Sequence, residues 1–142
     1  MKIYFDTSFV VSVYSSDANS EAALASLEAA GGIRLITTFG KVEVVNALML
    51  RVFRKELSAS QVQSSLANFE KDLDAQVFQL RPFPEQIFDR ARSLAQQITP
   101  KLGIRTADLL HVAAAVELGA NCFYSFDKQQ LKLASTMRLE LN

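Results

Sequence analysis

A chain of 142 residues, 49% of them hydrophobic, has the length of one domain and enough apolar side chain for a core, which excludes disorder. Its 15 basic and 15 acidic residues cancel, so any nucleic-acid contact must come from local clustering and not from a globally basic surface. No apolar run reaches the roughly 18 residues of a membrane span, and a single cysteine, Cys122, leaves no internal disulfide.

Met1-Lys2 leads straight into Ile3-Tyr4-Phe5, too short for the apolar region of a signal peptide, so a reduced, cytoplasmic protein is expected. Lys2–Phe5 reads as a strand that ends at Asp6, followed by a short helix from Ser8 to Tyr14 capped by Thr7 or Ser8. A helix over 19–30 carries Ala22, Ala23, Leu27 and Ala30 on one face and stops at Gly31-Gly32. Ile33–Ile36 is the second strand, and Thr37-Thr38 leads into a long helix from Phe39 to Lys55. Ser58 caps a helix reaching Ala75, and Val77–Leu80 is the third strand. Pro82 and Pro84 break the chain before a helix over 85–98, with Pro100–Gly103 as a loop. Thr106 then caps a helix whose Leu109, Val112, Ala113 and Val116 share one apolar face, and Gly119 stops it. Cys122–Tyr124 is a strand that delivers Asp127. Lys128–Ala134 forms a helical turn and Met137–Leu139 a last edge strand. With no repeat, low-complexity tract or linker, residues 1–142 read as a single domain.

Strands alternating with helices imply a parallel sheet covered on both faces, an α/β fold. Ligands of such sheets bind outside the carboxyl ends of the strands. Four acids belong to that edge: Asp6 after the first strand, Glu43 early in the helix after the second, Asp108 in the first turn of a later helix, and Asp127 after its strand. Four carboxylates in one cleft repel strongly, so either some are protonated or a cation is present. Oxygen ligands without His or Cys suit Mg²⁺ or Mn²⁺, and such a site hydrolyses phosphodiesters.

Each acid also has a plainer reading. Asp108 complements the helix dipole, Asp6 and Asp127 form turns, and Glu43 is a solvated helix residue. Glu43, however, shares its face with Asn46, Ala47 and Leu50, where a carboxylate must be paired or bound. Thr7 and Ser8 hold a metal-bound water, orient Asp6 or cap the next helix. Asn46, one turn after Glu43, is a hydrogen-bond partner for it, and His111, one turn after Asp108, borders the same face. Arg105 contacts phosphate or forms a salt bridge. Lys41, Arg51, Arg54 and Lys55 offer an RNA-facing patch, with Arg54-Lys55 better read as a solvated face. Phe39, Phe53, Phe69, Phe78 and Phe88 read as packing.

Asp6-Thr7-Ser8, the run Glu43-Val44-Val45-Asn46-Ala47-Leu48, the run from Arg105-Thr106-Ala107-Asp108 through Leu109-Leu110-His111 to Ala115, and Ser125-Phe126-Asp127-Lys128 together resemble the PIN-domain ribonucleases. The likeness is greatest to the toxin nucleases of type II VapBC toxin–antitoxin systems, and it spans the chain in the right order. The resemblance implies a three-layer α/β/α sandwich and an endoribonuclease dependent on Mg²⁺ or Mn²⁺. It also implies an acidic catalytic and metal-binding pocket of Asp6, Glu43, Asp108 and Asp127, homodimers, and an antitoxin whose C-terminal tail blocks the pocket. Many relatives carry a further acid or Asn after the last Asp, where this chain has Gln129 and Gln130, so one tight metal is expected. A dehalogenase-type phosphotransferase wants a second Asp where Ser8 stands, and a receiver domain wants paired acids there. The remaining alternatives are a stand-alone RNA-processing nuclease and an inactive PIN-like scaffold that binds protein or RNA.

Overall fold

The computed structural model describes all 142 residues. Strand β1 (Lys2–Phe5) is followed by α1 (Thr7–Tyr14), α2 (Ser20–Ala29), β2 (Ile33–Thr37), α3 (Thr38–Phe53) and α4 (Ala59–Asp74). Then come β3 (Gln79–Arg81), α5 (Gln86–Leu102), α6 (Thr106–Glu117), β4 (Cys122–Tyr124), α7 (Lys128–Thr136) and β5 (Glu140–Leu141). The five strands form one sheet in the order β3-β2-β1-β4-β5, and every pairing is parallel. β1 is central, with Ile3 in register with Arg34 on one side and with Cys122 on the other.

Alternation along the strands builds two cores. Ile3, Phe5 and Ile36 pack on one face against Phe9 of α1, Val44 and Leu48 of α3, and Phe69 of α4. Tyr4, Leu35 and Phe123 pack on the other against Ile87 of α5, Val112 and Ala113 of α6, and Leu133 of α7. The architecture is therefore the expected α/β sandwich of helix, sheet and helix. No helix is long and apolar enough to cross a membrane.

Several boundaries differ from the sequence reading, each for a local reason. α1 is capped by Asp6, not Thr7 or Ser8: its carboxylate accepts from the Phe9 amide at 2.9 Å. Arg105 occupies the cap position of α6 without a side-chain bond, and Thr106 is already helical. α5 runs through Pro100, which lacks an amide hydrogen for the last turn, and ends at Gly103 in the left-handed region at φ 63°. β3 starts at Gln79 because Val77 is still in the turn that closes α4, its amide donating to the Asp72 carbonyl at 2.9 Å. Likewise the amides of Met137 and Leu139 bond back to Ala134, so the edge strand begins at Glu140 and not at Met137. Phe69 and Phe78 are buried as expected, but Phe53 and Phe88 are exposed.

Candidate functional site

β1 and β4 lie side by side and end at the same edge of the sheet, so Asp6 and the segment Ser125–Asp127 arrive together. Two serines join them. Ser125 Oγ donates to Asp6 Oδ2 at 2.6 Å and accepts from the Asp127 amide at 2.9 Å. Ser8 Oγ lies 2.8 Å from Asp6 Oδ1 and accepts from the Phe126 amide at 2.9 Å. Asp6 is completely buried. Burial pushes its carboxyl pKa up, and the charge of a protonated His111 with the bonds from Ser125, Phe9 and Ser8 acts in the opposite direction.

In front of Asp6 opens a cleft of about 460 Å³ lined by Thr7, Ser8, Glu43, Arg51, Asp108 and Asp127, among others. Glu43 reaches it from α3 and receives two bonds on one oxygen: Thr7 Oγ1 donates to Oε1 at 2.7 Å, and His111 Nε2 bonds the same Oε1. Burial alone would raise the Glu43 pKa, but the hydrogen bond from His111, the charge that ring carries whenever both its nitrogens are protonated, and the Thr7 bond hold it below the ordinary glutamate value. Glu43 Oε2 has no protein partner. Behind His111, Tyr4 Oη lies 2.9 Å from Nδ1. Burial pushes the Tyr4 phenol far above its ordinary pKa, so it keeps its proton.

Asp108, in the first turn of α6, accepts from Gln130 Nε2 on Oδ1 at 3.1 Å, while its buried Oδ2 has no hydrogen-bond partner. Arg105 Nε stands 3.5 Å from that oxygen, and Arg105 Nη2 stands 3.7 Å from Asp127 Oδ2. The guanidinium, 79% exposed, thus spans the two acids from the rim. Asp127 is also the cap of α7, its Oδ1 accepting from the amides of Gln129 and Gln130 at 2.9 and 3.0 Å. On the opposite wall, Arg51 Nη1 donates to Ser15 Oγ at 2.6 Å and Nη2 to Asp17 Oδ2 at 3.1 Å.

The cleft therefore gathers Glu43, Asp108, Asp127, Thr7, Ser8, Arg105 and Arg51, with Asp6 and His111 buried behind it. Two residues read from the sequence fall elsewhere. Lys41 pairs with Glu70 at 2.8 Å, and both Lys41 and Asn46 line a separate groove along α3. Asn46 makes no bond to Glu43. It sits three residues on, whereas Ala47, four residues on, shares the direction of the carboxylate into the cleft. The sequence reading missed Asp17, Tyr4 and Ser125, and it missed Gln130 as a partner of Asp108. Asp17 looks like an ordinary turn former, and nothing in the sequence joins it to Arg51, 34 positions away.

No three acidic, histidine or cysteine side chains stand together as a ready coordination set. The donor chemistry nonetheless fits a hard cation. The free groups are carboxylate oxygens, one of them buried and without a hydrogen bond, and the positive charge that faces two of the acids belongs to an exposed arginine at the rim.

Residues 3–135 match the family model of the PIN domain. Among solved structures, VapC20 of Mycobacterium tuberculosis, described as a sarcin-ricin loop cleaving toxin, is similar with a TM-score of 0.73 at 15% identity, over 92% of this chain and 93% of that one. VapBC2 from Rickettsia felis, solved bound to a DNA fragment from its promoter, gives 0.69 at 19% identity, covering 100% and 98%. VapBC-1 from nontypeable Haemophilus influenzae gives 0.67 at 14% identity, covering 100% and 97%. At these identities the likeness is one of fold. No curated protein sequence matches the chain.

Proposed function

Because the chain belongs to the PIN domain family, we propose that it is an endoribonuclease dependent on Mg²⁺ or Mn²⁺ that hydrolyses RNA phosphodiester bonds. The observation that carries this reading is the buried, unpartnered Oδ2 of Asp108 facing a cleft shared with Glu43 and Asp127. A buried carboxylate oxygen without a partner costs about 1–3 kcal/mol, and a cation removes that cost. Asp108 Oδ2, Asp127 Oδ2 and Glu43 Oε2 would hold the ion, with Asp6 adding negative charge from behind. A bound ion supplies the positive charge that polarises the phosphodiester and activates water.

The chain's own residues do the rest. Ser8 and Ser125 fix Asp6, and Thr7 and His111 fix Glu43 with one oxygen left over. Gln130 supplies a neutral donor to Asp108 where another acid would recruit more charge, which favours a single tight ion. With a cation beside the acids, Arg105 would be free to meet the RNA phosphates from the rim, and Arg51 lines the opposite wall.

The toxin role in a toxin–antitoxin pair rests on the likeness to the Vap structures, so a cognate antitoxin is proposed as partner. A second copy of the chain is proposed too, because α3 leaves Val42, Met49 and Phe53 exposed along one side. The inactive scaffold is the reading favoured by Arg105, which already offsets the charge of two acids. Incubating the purified protein with a panel of folded RNAs, in Mg²⁺, Mn²⁺ or EDTA, decides between them. Cleavage at discrete positions with either metal and none in EDTA supports the nuclease, and intact RNA throughout supports the scaffold.

A further inference from the structure

A chain of hydrogen bonds runs through the buried side of the cleft and returns to the helix where it starts. The Gly40 amide donates to Thr37 Oγ1 at 3.1 Å, capping α3. Thr37 Oγ1 lies 3.3 Å from Tyr4 Oη, and Tyr4 Oη lies 2.9 Å from His111 Nδ1. His111 Nε2 then meets Glu43 Oε1, on α3 again. Thr37, Tyr4 and His111 are all buried.

Only one direction of donation satisfies every hydrogen. If Tyr4 donated to Thr37, the Thr37 hydroxyl hydrogen would be left without an acceptor, since Tyr4 is its only hydrogen-bond partner apart from the Gly40 donor. An unsatisfied buried donor is unfavourable. With Thr37 donating to Tyr4, the phenol O–H must go to His111 Nδ1, which must then be a bare acceptor. The imidazole proton sits on Nε2, where it reaches Glu43 Oε1 and, more weakly, Thr7 Oγ1 at 3.2 Å. Thr7 itself donates to the same Oε1.

We propose that Tyr4, with Thr37 behind it, is a positioning residue for Glu43: its hydroxyl holds His111 as the neutral Nε2–H tautomer, so that two donors pin Glu43 Oε1 and leave Oε2 for the cleft. The tautomer stands on the geometry alone, and the consequence for cleavage rests on the nuclease reading above. Family resemblance marks His111 as a supporting residue. It assigns nothing to Tyr4, which the sequence offers only as one apolar position of a strand.

The protein has one histidine, so its ring nitrogens are the only imidazole signals in a long-range ¹H–¹⁵N spectrum. In metal-free wild type near neutral pH, the bare-nitrogen signal should belong to Nδ1 and the protonated one to Nε2. Tyr4→Phe keeps the ring that stacks on Phe123 but removes the donor. The two nitrogen signals should then converge or exchange identity, and kcat should fall about tenfold with KM near its original value, as for other supporting groups of metal sites. A proton on Nδ1 in wild type, as the other tautomer or as the imidazolium, overturns the proposal even if the variant does not fold. A Tyr4→Phe spectrum identical to wild type overturns it as well. The expected tautomer in a protein that cleaves no RNA removes the nuclease reading alone, while an active enzyme with Nδ1 protonated removes the Tyr4 assignment alone.

Discussion

At the scale of single residues, the acids of the cleft are not equivalent. Simple repulsion treats each as a source of strain, but Asp6 is bonded on both oxygens and caps α1, whereas Asp108 has one oxygen that nothing satisfies. Removing charge should therefore act in opposite directions at the two sites. Asp108→Asn is expected to abolish metal-dependent cleavage and to raise metal-free stability by about 1 kcal/mol, because it removes the charge from a buried oxygen that no hydrogen bond satisfies. Asp6→Ala should also abolish cleavage but lower stability by about 1 kcal/mol, the usual effect of losing an N-cap. Thermal melts in EDTA measure both; a fall in stability for Asp108→Asn would show that Arg105 already compensates Oδ2.

At the scale of elements, the Arg51–Asp17 pair ties the turn between α1 and α2 to α3 and so holds one wall of the cleft. Burial alone would raise the Asp17 carboxyl pKa, but the Asn19 amide, Arg51 and Ser12 hold it below its ordinary 3.8. A carboxylate with a depressed folded pKa stabilises the fold above its unfolded value, and that contribution disappears as pH falls through the folded one. Wild type should lose stability between roughly pH 5 and the lower folded pKa, and Asp17→Asn should start less stable at neutral pH with a flatter acid limb. Denaturant melts across that range check this, and parallel curves would mean the pair is too solvated to matter. None of this was visible in the sequence. What was visible is what local pattern controls. The short apolar runs such as Ile3-Tyr4-Phe5 and the helical faces of residues such as Leu109 and Val112 placed every strand and helix in order. The errors lie where backbone bonding at helix ends overrides the apolar pattern, as at Val77 and Met137. The acids could be read because each closes or opens an element at the same sheet edge. Their partners could not be, because Gln130 and Tyr4 owe their roles to distant residues, Asp108 and His111.

At the scale of the molecule, a cation bound only by the folded state should raise its stability, by about 2.7 kcal/mol at 100 times the dissociation constant. Wild type is expected to melt higher as Mn²⁺ or Mg²⁺ is added, and Asp127→Asn to gain little. An equal response from both would place the ion away from the cleft. The exposed side of α3 gives a second expectation: Phe53→Glu should shift a dimer toward monomer in sedimentation velocity without changing the circular dichroism spectrum. Phe53 is 83% exposed in the single chain, so an unchanged sedimentation profile would remove this face as a self-contact.

The central place of β1 also sets an order in time. Its neighbour β2 follows within the first forty residues, so Asp6 and Glu43 come from the part of the chain that is synthesised early. Its other neighbour, β4, follows only after α6, and it brings Asp108 and Asp127 with it. A nascent chain can thus form half of the sheet and half of the acidic cleft while the other half does not yet exist. Ser125, which donates to Asp6, arrives with the late half, so even the early aspartate lacks one of its hydroxyl donors until then. On the proposed nuclease reading, the order of synthesis is itself a safeguard: the four acids are all present only once the ribosome has passed Asp127, and any fragment released earlier lacks at least one of them.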